Sequence, residues 1–381
     1  MISEDMQPFS IVENCGFQKL VRLLDSRYTL PSRRTIGRTL IPSYYETTKS
    51  NVFGLVSNAK HVAITLDVWT SMNTESFLTA TVHLFDVDFE LRTFVLSTEK
   101  LTSNHTAKYL SEVLHGIFHS WNIRQKVCAI VTDSGANIKA AVHLMNIEHI
   151  PCTAHKLNNI VKKSLKLDSD DPSLPHDQVQ IITLAKLCRS IVGHFKHSEA
   201  DTRQLAEKQQ QMGLTVLKLK QDVSTRWNST LTMLERLLEV KEPLTVVSLS
   251  LKRCPTMPTN DQWTVIEDLV MLLKPFETLT VELSYEKKPT LGKVIPLIRG
   301  LQLSIEKKIP KTSCGTFLKK SLLENIFLAY SYVEQMNPTH FYAKATLLTK
   351  KSYKGTKKLL LYLIQMQIQP SKRFNMKLLS Y

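Results

Sequence analysis

The chain has 381 residues, of which 43% are hydrophobic and 22% charged. That composition supports folded domains and excludes wholesale disorder. The length fits one large domain with an insertion, or two domains.

The six cysteines, at positions 15, 128, 152, 188, 254 and 314, form no C-x-x-C pair. They read as reduced thiols of an intracellular protein, not as a disulfide framework. The opening Met1-Ile-Ser-Glu-Asp5 lacks the apolar core of a secretory signal. No apolar run reaches the ~20 residues that span a bilayer, so no membrane partner is expected. The net charge of +15 points towards nucleic acid. Nine of the Lys and Arg residues, and no acids, lie between Phe341 and Tyr381, which leaves +6 for residues 1–340. The clearest local patch is Arg22, Arg27, Arg33, Arg34 and Arg38.

In chain order, residues 15–24 predict a short amphipathic helix, with Phe17, Leu20, Val21 and Leu24 on one stripe. Pro31 makes the following segment extended, and a second helix is expected from about Thr35. Residues 62–68 alternate, with Val62, Ile64, Leu66 and Val68 on one face and Ala63, Thr65 and Asp67 on the other, as in a strand. Residues 76–85 and 92–101 read as two more. Short connections make the three antiparallel neighbours. A helix then carries Leu110, Val113, Leu114, Ile117, Phe118 and Trp121 on one stripe, and Thr106 is placed to start it. The apolar run 127–132 reads as a strand buried on both faces. It ends in Asp133-Ser-Gly-Ala-Asn137, a helix follows, then a weak fifth strand at 149–152 and a helix over 154–166. Strand–helix–strand crossovers are parallel, so a mixed sheet with helices on its faces is expected. Beyond the polar loop 168–175 the pattern is helical, over 177–196, 199–212, 229–241, 260–273, 290–308 and 316–335.

Two acids stand out. Asp67 lies on the first strand, and Asp133 at the carboxyl end of the fourth, where sites assemble in α/β sheets. If those strands are adjacent the carboxylates converge, as a two-metal phosphoryl-transfer site requires, its Mg2+ ions ~3.5–4 Å apart. The competing reading is that Asp67 only precedes a loop and Asp133 only caps a turn before Gly135. Cys152 and His155 form half a zinc site, which Cys188 and His194 would have to complete. A buried thiol and a hydrogen-bonded imidazole are the alternative, and zinc is not expected. Neither a G-x-S-x-G element nor a glycine-rich phosphate loop occurs.

Four blocks taken in order resemble the hAT superfamily of DNA transposases. They are Leu66-Asp-Val-Trp-Thr-Ser71, Val131-Thr-Asp-Ser-Gly-Ala-Asn-Ile138, Cys152-Thr-Ala-His-Lys-Leu-Asn158 and Asp222-Val-Ser-Thr-Arg-Trp-Asn-Ser229. The likeness is above all to the domesticated BED zinc-finger group, whose pre-core segment resembles Ser10-Ile-Val-Glu, Gly16-Phe and Tyr28-Thr-Leu-Pro-Ser-Arg-Arg34. It runs from about residue 5 to 348.

The resemblance implies an α/β fold, an RNase H-like mixed sheet interrupted by a large all-α insertion. The expected division is a helical lead-in (1–58), the RNase H-like core (59–167), the helical insertion (168–340) and a divergent basic tail (341–381). It implies that Asp67 and Asp133 are the first two of three metal-binding acids, with Mg2+ or Mn2+ as the ion. Cys152 and His155 become a C-x-x-H motif near that site. Arg226 and Trp227 become DNA-facing residues of the insertion, the ring being suited to stacking on an extruded base; a core anchor and a helix cap are the alternative.

The family's BED finger, third acid and dimerisation region are expected to lie outside this sequence. The resulting expectation is a nuclear, transposase-derived protein that does not cut DNA and acts by binding DNA or protein, with a homodimer as a further possibility. Two alternatives stand beside it. One is a nuclease that recruits its third acid from Glu277, Glu282, Glu306, Glu324 or Glu334. The other is a protein-interaction module or a non-functional truncated product.

Overall fold

The computed structural model describes residues 2–133, 135–169, 171–223, 227–251, 253, 255–285, 289–334, 342 and 345. Of the divergent basic tail expected at 341–381, only 342 and 345 are among them. The chain divides into two compact units, Met1–Pro151 and Cys152–Tyr381.

In the first unit, α1 (Cys15–Leu24) forms where its stripe predicts, but none of its residues is buried. A single turn, α2 (Arg33–Thr35), is capped by the Ser32 side chain and runs through a wider π turn, Ile36–Leu40, into α3 (Ile41–Asn58). Five strands follow: β1 (Val62–Thr70), β2 (Ser76–Phe85), β3 (Leu91–Leu101), β4 (Val127–Thr132) and β5 (His149–Pro151), in the order β3-β2-β1-β4-β5. The β1–β2 and β2–β3 pairs are antiparallel, and the β1–β4 and β4–β5 pairs parallel. Short turns allow only antiparallel neighbours. The parallel pairs are reached through α4 (Ala107–Ser120) and α5 (Ala136–Leu144). Two irregularities interrupt the ladders. Leu96 is an extra residue on β3 and Cys128 one on β4, where Val62 pairs with Val127 but Ala63 pairs with Ala129.

The predicted alternation sets the core. Val62, Ile64 and Leu66 of β1 and Leu78, Ala80, Val82 and Leu84 of β2 are buried in one cluster with Leu110, Leu114, Ile117 and Phe118 of α4. At about 25 cal/mol per Å2 of apolar surface, this burial is the main force holding the sheet. Thr106 caps α4, its hydroxyl accepting a 3.2 Å bond from the Tyr109 amide, a contact of about 1 kcal/mol.

The second unit is helical: α6 (Thr153–Leu165), α7 (His176–His197), α8 (Glu199–Gln211), α9 (Trp227–Glu239), α10 (Lys241–Ser248), α11 (Asn260–Leu283), α12 (Val294–Lys307) and α13 (Ser313–Glu334). The sequence pattern kept α6 with the sheet and placed the division at 167/168. Packing puts it at 151/152. Helix α6 is held to α13 by Asn325, which donates to Ser164 Oγ at 3.0 Å, and by the Lys156 ammonium 5.2 Å from the Tyr330 ring. Strand–helix alternation had suggested otherwise, because α6 directly follows β5.

Two helical boundaries also move. Helix α11 was expected to end at 273, before Pro275, and continues to Leu283. Proline removes one backbone bond, but buried Phe276 and Leu279 hold the next turns in place. Helix α10 was not predicted. It carries Pro243 in its first turn, where a missing N–H costs nothing.

Candidate functional site

The parallel ladder between β1 and β4 pairs Ala63 with Ala129, Ile64 with Ile130 and Thr65 with Val131. Asp67 and Asp133 each lie two residues beyond the Thr65–Val131 pair, Asp133 one position past the end of β4. Neighbouring strands lie about 4.8 Å apart.

Asp67 is exposed and accepts no hydrogen bond or ion pair among the described residues. Asp133 is half-buried just past β4. Its Oδ1 accepts the Gly135 amide at 3.0 Å, and among the described residues Oδ2 has no hydrogen-bond partner. A side chain at Gly135 would set its Cβ 3.1 Å from that Oδ1, so glycine keeps the turn closed around the carboxylate. Beneath it, the buried Thr132 hydroxyl donates to the Asp133 carbonyl at 2.8 Å and meets His149 Nε2 at 2.8 Å. The hydroxyl's one proton is used on the carbonyl, so His149 Nε2 carries the other.

The sheet face that bears Asp67 is polar and tied across three strands. Thr79 stands opposite Asp67 in the register. The Trp69 indole N–H donates to Thr79 Oγ1 at 3.0 Å, which lies 3.1 Å from Thr98 Oγ1. The Trp69 ring stacks on Phe77 with centroids 4.8 Å apart. Thr65, His83 and Thr93 form a second chain, each link 3.0 Å. Both rows hold the strand carrying Asp67 in place. Among the described residues, no group of three or more His, Cys, Asp or Glu side chains is arranged to hold a metal. The donors present are therefore the two carboxylates, which suit a hard, oxygen-loving ion such as Mg2+ or Mn2+ that keeps several waters.

The other expected site residues lie in or next to the helical unit. Cys152 precedes α6 and is partly exposed, and His155 is exposed on the first turn. Of the residues that would complete a zinc site with them, Cys188 is fully buried and its thiol is pushed up to about 12 by that burial. His194 gives its Nε2 to Asp201 at 2.8 Å. Of the acids read as substitutes for a third ligand, Glu277 holds Lys274, Glu282 holds Lys293, and Glu324 lies 3.9 Å from Lys320. Arg226 lies outside the described residues.

Trp227 opens α9 and is only 4% exposed, its edge against Phe276 with centroids 6.3 Å apart. It also lines a cavity of about 430 Å3 within this unit. The position read as DNA-facing is thus buried, the first residue of an α9 face that continues through Leu231, Leu234 and Leu237.

Asp222, the first residue of the fourth block, has a role that its residue type alone does not announce. Its side chain is 3% exposed, and the Arg189 guanidinium grips Oδ2 through Nε and Nη2, both at 2.8 Å. Thr230 donates to the same oxygen at 3.2 Å. Ser229 clasps both backbone groups of Val223, at 2.8 and 3.0 Å. The pair fastens the loop before α9 to α7. Arg189→Met would leave a buried carboxylate with one hydroxyl and one amide, and should cost about 2–3 kcal/mol. Urea unfolding followed by tryptophan fluorescence checks this; a loss under about 0.5 kcal/mol would show the pair to be dispensable.

Comparison with known proteins agrees with the fold. The ZBED1 RNase-like domain model matches residues 65–158, and the ZBED1 RNase-like helical domain model matches residues 150–272. Their meeting point coincides with the division between the two units. Zinc finger BED domain-containing protein 4 of Homo sapiens is 26% identical over 336 residues, 85% of this chain and 28% of that protein. Zinc finger BED domain-containing protein 6 of Homo sapiens is 28% identical over 324 residues, 81% of this chain and 32% of that protein. The transposable element Hobo transposase of Drosophila melanogaster is 25% identical over 342 residues, 85% of this chain and 49% of that protein. The chain spans between 28% and 49% of the length of these relatives. With an RNase-like unit, an RNase-like helical unit and relatives of both kinds, the chain belongs to the hAT transposase superfamily, within its BED zinc-finger branch.

Proposed function

We propose that this chain is a nuclear, DNA-associated protein derived from a transposase, in which Asp67 and Asp133 hold one divalent cation, Mg2+ or Mn2+, and which binds DNA or protein without cutting. One observation supports the metal reading: β1 and β4 are adjacent parallel strands that pair Thr65 with Val131, two positions before Asp67 and Asp133. A single octahedral ion needs only one or two carboxylates beside its waters. In-line phosphodiester cleavage on two metals needs ligands for a second ion as well. The bound ion would supply Lewis-acid attraction for a phosphate oxygen. The residues around it hold that place: Gly135 and Thr132 fix the Asp133 turn, and the Thr79–Trp69 row fixes the Asp67 strand. The BED zinc-finger names of two relatives support a role in binding, and the transposase name of the third supports its ancestry.

Calorimetric titration with Mn2+ tests the site. Wild type should bind one ion, and the Asp67→Asn, Asp133→Asn double variant should lose at least about tenfold in affinity. Equal binding by both proteins would remove the metal reading. A nicking assay on duplex DNA with Mn2+ tests the other half. Nicking that Asp67→Asn abolishes would replace this reading with an active nuclease.

A further inference from the structure

We infer that the cavity of the helical unit is a binding site for a small phosphate monoester with an apolar body, distinct from the Asp67–Asp133 pair. The cavity has a volume of about 430 Å3 and lies between the end of α6, the middle of α7 and the first turn of α9. That size falls within the ~300–1,000 Å3 range of small-molecule pockets.

Its walls are chemically divided. Leu165, Leu167 and Trp227 form an apolar side, while Lys162, Lys166 and Arg189 bring three cations to a lining whose own acid is Asp168, with Asp222 on Arg189 and Asp171 acting on Lys166 from beside it. The three cations differ in state. Arg189 is already held by Asp222, so its guanidinium is fixed in position and part of its charge is compensated. Lys162 and Lys166 are exposed, one helical turn apart, and neither has a carboxylate within ion-pair distance among the described residues. Like charges at this spacing repel on a helix surface, so the pair is stabilised by an anion between them. Lys166 also sits in the left-handed region at φ 46°, closing α6 where glycine is the usual choice. A non-glycine residue held there is the kind of backbone cost that accompanies ligand clamps. A dianionic head group satisfies two flexible ammonium groups and one fixed guanidinium, and the hydroxyl of Ser169 lies on the same lining. The apolar wall asks for more than inorganic phosphate.

Such a head could belong to a free metabolite or to a 5′-phosphorylated nucleic-acid end; the shared chemistry is the phosphate monoester. The test is calorimetry on the full chain with phenyl phosphate, inorganic phosphate and phenol. Phenyl phosphate should bind with Kd below about 1 mM, and the other two at least about tenfold more weakly. The Lys162→Gln, Lys166→Gln variant, which alters only exposed side chains, should keep its Tm and lose about tenfold or more in affinity. No saturable binding to wild type, or equal binding by the variant, overturns the proposal. A dinucleotide carrying a 5′-phosphate then competes if the source is nucleic acid and fails to compete if it is a metabolite. Competition that does not depend on the 5′-phosphate also overturns the proposal. None of these readouts depends on metal binding at Asp67 and Asp133.

Discussion

Replacing Asp268 by Ala is expected to lower the stability of the helical unit by about 3–4 kcal/mol. Asp268 lies in α11 and is 2% exposed. Its carboxylate accepts the Lys311 amide at 3.0 Å on both oxygens, the Thr312 amide at 2.9 Å and the Thr312 hydroxyl at 2.7 Å. That same hydroxyl caps α13 by accepting the Gly315 amide at 3.0 Å. One buried charge thus carries the cap of a helix that begins 45 positions later in the chain. Hydrogen bonds to a charged group contribute about 1.5–3 kcal/mol each, and removing the acceptor strands the amides it had served. Asp268→Asn should do almost as badly, because its amide places a donor against backbone donors. Urea unfolding read from tryptophan fluorescence checks both variants, Trp263 lying in the same helix. A loss below about 1 kcal/mol in Asp268→Ala would mean that water replaces the carboxylate.

Trp227→Ala should cost about 3–5 kcal/mol, the range for a large buried aromatic. The space left would join the cavity that the ring already borders, so little of it can close by collapse. Trp227→Phe keeps the apolar contact with Phe276 and should cost about 1–2 kcal/mol. Thermal unfolding of both variants separates two roles for this residue. A ring used only to stack on a nucleic acid would leave Tm unchanged in Trp227→Ala, whereas a core contact lowers it by several degrees. An unchanged Tm with lost DNA binding would remove the core assignment.

The sheet was legible in the sequence because period-two alternation is a local signal. Val62, Ile64 and Leu66 announce both β1 and its buried face, and Asp67 falls out of phase with them. The adjacency of β1 and β4 was only a condition in the sequence pattern, the one on which any approach of Asp67 to Asp133 depends, and the parallel β1–β4 ladder meets it. Tertiary decisions were less visible. Nothing in the α6 pattern of Leu157, Ile160, Val161 and Leu165 says whether that face meets a sheet or a helix. Asp268 reads as a polar break in an apolar helix, because the amides it serves lie 43 and 44 positions away. Asp222 was visible as part of a block, yet its partner Arg189 is 33 positions earlier, on a helix whose pattern shows only its apolar side. Trp227 misled for a similar reason: residue type suggests what a ring can do, and only packing shows which way it is turned.

The extra residue at Cys128 has a consequence for how this strand can vary in length. From the Ala63–Ala129 pair onward, Asp67 and Asp133 are each four positions away. An insertion or deletion inside either run slides one acid past the other and turns its side chain to the opposite face. The bulge lies just upstream of both runs. Deleting Cys128 would leave Val127 on Val62 and Ala129 on Ala63 with no surplus residue, and the acids still level. Length changes are therefore absorbed at one end of β4 and forbidden at the other, and drifting copies of this chain should accumulate gaps before Ala129 long before they tolerate one after it.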